Sequence, residues 1–397
     1  MICTGHLFKN IHFFDIFAPS SLLFAKHRLF LPKIYRMLQN WLSPSSIHNT
    51  DLDKQCFQES IQDYHDNPDA LASAKIALIG INAEKADFIR TQLFDLAAFQ
   101  VDVIDLGNLK NEKPGFAIQI IGILLKSNIL PILFGGSQEF IFSLYHAFQL
   151  NEKMVNLTVI DNQIRFTARN SDSNAYLNPL LNPPHQNLFH LSIIGTQTHL
   201  NNPNLYNILS SNDFEWFSLG NIKSNPTNCE PLIRDADLLS FNLAAIKAAD
   251  CPGQNDPFPT GLTAQEACTL ARFAGLSDKL TAFGLFGYNP TGDQNHISAK
   301  MAALVIWYFL DGFVNRQNEF PLTKKGLKKY IVVHKKNDVH ISFWKSIKTG
   351  RWWMEIPIYR KNQPLRHALL PCSYDDYILA TKDQLPGRLL NGLSRIG

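Results

Sequence analysis

The sequence predicts a three-layer α/β/α domain built on a mostly parallel sheet, followed by a small C-terminal α+β appendage. Two observations carry the first half. From about Lys75 the chain alternates strand-like and helix-like segments, the order that lays helices over both faces of a parallel sheet. The strand-like segments are short and almost wholly apolar, as strands covered on both faces must be. A third observation marks the appendage: beyond Pro321 the alternation stops and β-rich runs follow one another, separated by polar turns.

In chain order the strand candidates are Ile76–Ile81, Val101–Leu106, Ile129–Phe134, Leu157–Asp161, Leu188–Ile194, Leu238–Leu243 and Leu280–Phe286. Between them Phe116–Lys126, Ser137–Leu150, Thr263–Ala274 and Ile297–Phe313 read as helices. Thr263 and Glu266 have the spacing of a capping box, and Gly275 is expected to supply the C-cap. Ser137 is expected to cap the helix it precedes. In the appendage, Tyr330–His334, Val339–Trp344 and Trp352–Ile358 read as antiparallel strands, with turns at residues 335–338 and 348–350. A last helix is expected near Ser373, with Asp375 and Asp376 in its first turn. Trp352 and Trp353 must point to opposite faces of one strand, so at least one is expected to pack on the main domain.

Composition sets the outer limits. A chain of 397 residues, 45% hydrophobic and 18% charged, can bury a large core, which excludes wholesale disorder. The body is expected over residues 37–320 and the appendage over 321–397. Residues 1–36 mix Phe-rich clusters with charges, hold no apolar run long enough to span a membrane, and are expected to be an extension ahead of a start at Met37. The appendage carries 15 Lys+Arg against 5 Asp+Glu, the rest of the chain 22 against 29. Such a basic tail is either a solvated face or a complement to an acidic neighbour. The six Cys are scattered without a Cys-x-x-Cys pair, which argues against a zinc site or a disulfide framework and fits a reducing cytoplasm.

Three short blocks follow apolar runs: Gly135-Gly136-Ser137-Gln138, Asp161-Asn162-Gln163-Ile164-Arg165 and Ser240-Phe241-Asn242-Leu243-Ala244. Each is placed at a strand carboxyl end, where open α/β sheets bind ligands. On an extended chain Asp161, Gln163 and Arg165 share one side, and so do Asn242 and Ala244.

In order and spacing these blocks resemble the metal-binding blocks of the ureohydrolases: arginase, agmatinase and formimidoylglutamase. That family's pattern is Gly-Gly-x-His, Asp-x-His-x-Asp and Ser-x-Asp-x-Asp, whose His and Asp hold two manganese ions. Tyr288-Asn289-Pro290 is similar to the family's Glu-x-Asn-Pro, with Gly287 where the substrate-holding Glu stands. Pro252-Gly253, Pro259-Thr260-Gly261-Leu262-Thr263, Trp307-Tyr308-Phe309 and Arg351-Trp352-Trp353-Met354-Glu355 resemble a bacterial formimidoylglutamase-like subgroup, so the resemblance runs from about Ile76 to the C-terminus. Against the pattern, Gln138 and Gln163 stand for the two His, and Arg165, Asn242 and Ala244 for three Asp. Asp161 alone matches.

The resemblance implies metal-activated water attacking an amidine carbon. Manganese wants carboxylate and imidazole ligands. Gln offers a neutral carbonyl, Ala nothing, and Arg165 a cation. The expectation is therefore a pocket without metal cofactor and without catalytic residues, in which Arg165 fills part of the metal space and pairs with Asp161 through charge-assisted hydrogen bonds. The role expected is that of a ligand-binding protein or a non-catalytic subunit of a homo- or hetero-oligomer, with a small-molecule ligand and with no membrane or nucleic-acid partner. Two other readings stay open: an active amidine hydrolase with a rearranged or single-metal site, and an anion- or nucleic-acid-binding protein acting through its basic tail.

Other constellations are weak. Gly135-Gly136-Ser137 lacks the Gly-x-Ser-x-Gly elbow, and neither a Walker loop nor a dinucleotide fingerprint occurs. His146 reads as a core histidine, His296 as a loop or capping residue, and His334 with His340 as a surface pair across a hairpin. Cys251, beside Pro252, is the one thiol worth testing for reactivity.

Overall fold

The structure is a computed structural model that describes residues 38–47, 56–167, 175–181, 187–319, 324–334, 339–360 and 363–396. The extension proposed for residues 1–36 and the turn at 335–338 lie outside the described residues. The main sheet contains β1 (Leu42–Ser43), β2 (Ile61–Asp63), β3 (Ile76–Gly80), β4 (Val103–Leu109), β5 (Leu130–Gly136), β6 (Val155–Ile160), β7 (Leu188–Thr196), β8 (Glu215–Ser218), β9 (Leu238–Asn242) and β10 (Ala282–Phe286). Their spatial order is β1-β4-β3-β5-β10-β9-β6-β7-β8, with β2 also on β4. All pairings are parallel except β1 with β4.

Successive strand residues feed two different cores. On one face Ile76, Leu78, Ile132, Phe134, Leu239 and Phe283 pack under α1 (Ala83–Phe94) and two later helices, α8 (Ala264–Gly275) and α9 (Ile297–Val314). On the other, Ala77, Ile79, Leu133, Val159, Ile193 and Ala282 meet α2 (Pro114–Lys126) and α3 (Ile141–Gln149). Shorter helices α4 (Asn178–Leu181), α5 (Pro203–Ser211), α6 (Leu219–Ser224) and α7 (Glu230–Arg234) fill the connections. Each Leu, Ile or Phe buried in this way contributes about 1.5–3 kcal/mol relative to exposure. By length and composition α9, with the turn before it, would suffice to cross a membrane, but it is packed against α1 and α8 as a core helix.

Two end assignments change. The Thr263–Glu266 capping box forms as expected, but α8 runs through Gly275 and its C-cap is Leu276. A Cβ on Gly275 would lie 2.0 Å from the Phe309 carbonyl oxygen and 2.9 Å from the Gly312 Cα, so this glycine serves the close crossing of α8 over α9. Ser137 occupies the N-cap position with extended backbone but makes no side-chain cap bond.

The appendage is a four-stranded antiparallel meander, β11 (Leu327–His334), β12 (Val339–Ser346), β13 (Trp352–Arg360) and β14 (Gln363–Cys372), followed by α10 (Tyr374–Thr381) and α11 (Gly387–Ile396). Ser373 and Asp376 form the capping box of α10. Neither β14 nor α11 is expected from the sequence pattern. One sheet face and the two helices make a separate core around Phe343, Trp352, Met354 and Leu389. The other face docks on the main domain: Trp353 is buried beneath Arg234, whose guanidinium carbon is 4.6 Å from its ring centroid. Arg388 reaches Glu215 at 2.7 Å and Arg351 approaches Glu230 at 3.5 Å. Glu215 opens β8, and α7 leads into β9, so the appendage covers amino-terminal strand ends.

Candidate functional site at the carboxyl ends of the central strands

The topology gathers the three blocks. Strands β5, β10, β9 and β6 are neighbours at the centre of the sheet, although they are distant in sequence. Gln138 follows β5, Gly287 follows β10, Asn242 ends β9 and Asp161 follows β6. The sequence-predicted positions therefore converge on one edge of the sheet, the end away from the appendage.

Asp161 is fully buried. Its Oδ2 accepts hydrogen bonds from the Tyr176 hydroxyl at 2.8 Å and from Asn242 Nδ2 at 3.0 Å. Its Oδ1 lies 3.4 Å from the Gln163 backbone N–H. Arg165 Nε stands 3.6 Å from Oδ2, an ion pair, while Arg165 Nη2 leans on Asn162 Oδ1 at 3.4 Å. The expected pairing of Arg165 with Asp161 is present as charge attraction, but its hydrogen-bonded form is not: Nε has no hydrogen-bond partner among the described residues. Tyr176 and Asn242 already occupy the oxygen it faces.

Tyr176 is the site residue that sequence reasoning missed. Its position follows from bonds that residues 177–178 make with residues 165–167. Thr167 N–H donates to Asn178 Oδ1 at 3.0 Å, Asn178 Nδ2 donates to the Thr167 carbonyl at 2.8 Å, and Leu177 N–H donates to the Arg165 carbonyl at 3.1 Å. The phenol is thus folded back over Asp161. Burial, and then the Asp161 carboxylate, push its pKa well above the ordinary value despite Arg165 and Gln138 nearby, so the hydroxyl remains a neutral donor.

The third block departs from simple alternation. β9 stops at Asn242, and Leu243–Ala245 form a turn of 3-10 helix whose Ala244 N–H donates to Asn242 Oδ1 at 3.0 Å. One amide thus both ends the strand and donates to Asp161. Ala244 and Asn242 do not continue one extended face, because the cap turns the chain between them. Gln138 is buried and its Nε2 donates to Ser240 Oγ at 2.6 Å, leaving Oε1 without a partner among the described residues. Gln163 is half-buried at the rim. Gly287 has φ +87, and a Cβ there would lie 2.4 Å from Asn242 Oδ1, so the residue at 287 and the amide at 242 fit each other.

Residues named outside the blocks fall into structural roles. Cys251 is buried and its thiol is pushed up to about 11 by burial, so it is no thiolate at neutral pH. The α9 N-terminus is capped by Asp293, which accepts from Ser298 N–H at 2.7 Å and Ala299 N–H at 2.9 Å; His296 instead stacks on Phe88 with ring centroids 5.0 Å apart. His146 lies on the half-buried side of α3, 4.0 Å from the Phe142 ring. His334 and His340 do not meet: Val333, not His334, pairs with His340, and His334 is buried against the Asp383 carbonyl at 2.9 Å. Among the described residues no group of three or more His, Cys, Asp or Glu is placed to hold a metal ion.

Comparison with known proteins gives this arrangement its ancestry. Residues 66–311 match the model of the arginase family. The chain belongs to the arginase family. The match ends within α9, so the appendage lies beyond it. Solved structures agree on the fold. The formimidoylglutamase of Bacillus subtilis is 16% identical with a TM-score of 0.59, over 71% of this chain and 99% of that one. The formiminoglutamase of Trypanosoma cruzi, solved with Mn²⁺, is 16% identical with a TM-score of 0.57, over 62% and 95%. The agmatine ureohydrolase of Thermoplasma volcanium is 15% identical with a TM-score of 0.52, over 66% and 95%. No curated protein matches the sequence. Among the described residues of this arginase-family chain, the carboxyl ends of the four central strands and the segments beyond them bring together one carboxylate, one guanidinium, four carboxamides, a phenol and a methyl group.

Proposed function

We propose that this arginase-family protein, similar to formimidoylglutamase, does not carry out metal-dependent hydrolysis and serves as a binding protein or as a non-catalytic subunit of an oligomer. The observation that supports this reading is the state of Asp161. A pair of manganese ions needs several anionic or imidazole donors to balance four positive charges. Among the described residues one carboxylate is present there, and its Oδ2 is held by Tyr176, Asn242 and the Arg165 cation. The residues present do not fit the two-ion centre that the family resemblance implies. Asn242 is the telling replacement: two carboxylates sharing a site without an ion repel, whereas an amide donates to the remaining one.

The reading is tested on the full chain purified in manganese-containing buffer. Expected are substoichiometric manganese by elemental analysis, and no urea, formamide or ammonia released from arginine, agmatine or formiminoglutamate. Stoichiometric manganese together with turnover of any of the three would overturn it in favour of an active amidine hydrolase.

A further inference from the structure

A cavity of about 590 Å³ lies between the appendage and the amino-terminal strand ends, at the opposite end of the sheet from Asp161. Its walls are partly apolar, with Phe189, Trp353 and Leu369 among them, and partly cationic, with Arg234 and Arg395. Arg234 is only 6% exposed. Its Nε is held by Glu230 at 2.9 Å and its Nη2 by the Trp352 and Cys372 carbonyls at 3.1 and 3.4 Å, but among the described residues Nη1 has no hydrogen-bond partner. Arg395 donates from Nε to the Asn391 carbonyl of its own helix at 3.2 Å, and its Nη2 is likewise buried without a hydrogen-bond partner among the described residues.

The acidic groups at the same cavity are largely engaged; the exception is Asp235 Oδ2, which has no hydrogen-bond partner among the described residues and faces Arg388 Nη2 at 3.7 Å. Lys279 Nζ lies 3.4 Å from carboxylate oxygens of both Asp235 and Asp237. Asp278 accepts the backbone N–H groups of Asn318 and Glu319 at 3.1 and 2.7 Å, and Glu319 accepts the Ser346 and Thr349 hydroxyls. Buried guanidinium donors left without acceptors are unfavourable, and a planar oxyanion is the group whose geometry suits them.

We propose that this junction is a binding site for a small organic anion, one carboxylate-like head on a flat apolar body. The head would pair with Arg395 and Arg234, and the body would lie against Trp353, Leu369 and Phe189. Burial also holds the Arg395 guanidinium below its ordinary pKa, which a bound anion would relieve. Because the cavity is formed by the appendage, the site is a property of the whole chain and stands apart from the reading of the metal positions.

The experiment is a fluorescence titration of the full chain with the aryl sulfonate 1-anilinonaphthalene-8-sulfonate, followed by displacement with indole-3-acetate and with uncharged indole. Expected are saturable binding, displacement by indole-3-acetate at a concentration about tenfold or more below that needed with indole, a Kd weakened about tenfold or more in Arg395→Met, and loss of binding in Leu369→Trp, which fills the cavity. Melting curves of both variants verify folding. Absence of saturable binding, equal displacement by the two indoles, or wild-type binding in both folded variants would overturn the proposal. If either variant unfolds, the comparison of the two indoles on the unaltered protein decides alone.

Discussion

At the scale of single residues, the centre of the site at the strand carboxyl ends is a buried carboxylate that needs donors. A phenol, an amide and a nearby guanidinium face it. Of the two hydrogen bonds to Asp161 Oδ2, the one from Tyr176 is the shorter, 2.8 Å against 3.0 Å. Hydrogen bonds to a charged group are worth about 1.5–3 kcal/mol, and removing one leaves the buried acceptor less satisfied. Tyr176→Phe keeps the ring and deletes only the donor. It is expected to lower stability by about 1–3 kcal/mol in urea unfolding, with m unchanged. A loss below a few tenths of a kcal/mol would mean that Arg165 and Asn242 satisfy the carboxylate without the phenol.

At the scale of elements, the central strands were legible because their burial on both faces leaves near-continuous apolar runs, and the observed β5, β6, β9 and β10 lie within a few residues of the runs read from sequence. β14 was not legible. Pro364 and Pro371 interrupt its pattern, and the strand is tolerated because it lies at an edge of the appendage sheet. The site was legible at Asp161, Gln138 and Asn242, whose blocks keep their order and spacing. Tyr176 was not, because no motif reaches it and its place depends on the Thr167–Asn178 clasp. Gly275 read as a helix stop because a glycine after an apolar-periodic run usually is one. The structure instead uses its missing Cβ to bring α8 onto α9. Gly275→Ala should therefore separate two opposing effects. Alanine favours a helix by about 1 kcal/mol over glycine. A methyl group 2.0 Å from a carbonyl oxygen forces a shift of packed helices. Such overpacking costs about 1–3 kcal/mol. The clash should win, giving a net fall in melting temperature; a rise would show that α8 and α9 can part without cost.

At the scale of the whole molecule, two cations of the basic appendage, Arg388 and Arg351, face acidic groups of the body. Arg388 donates to Glu215 at 2.7 Å, and Glu215 also meets His190 Nε2 at 3.0 Å, with Ser192 Oγ 3.1 Å from the same nitrogen. Burial alone would raise the Glu215 pKa, but Arg388, followed by His190, holds it down to about 2. His190 is lowered from 6.5, chiefly by burial, with Arg395 adding to the effect and Glu215 and Asp235 opposing it. Both folded-state pKa values are depressed, so both groups bind protons more readily when unfolded, and stability falls as pH falls. For His190 the contribution is complete above about pH 6.5 and declines below it. For Glu215 it is complete above about pH 4.5 and is lost as pH approaches 2, with a full size on the order of 3 kcal/mol. Urea unfolding of the full chain should therefore give a stability that starts to fall below about pH 6.5 and falls further below pH 4.5. In His190→Gln the first decline should be reduced while the second remains, because Arg388 still faces Glu215. An unchanged profile in that variant would mean that His190 can take up a proton in place, and that the junction between body and appendage tolerates the added charge.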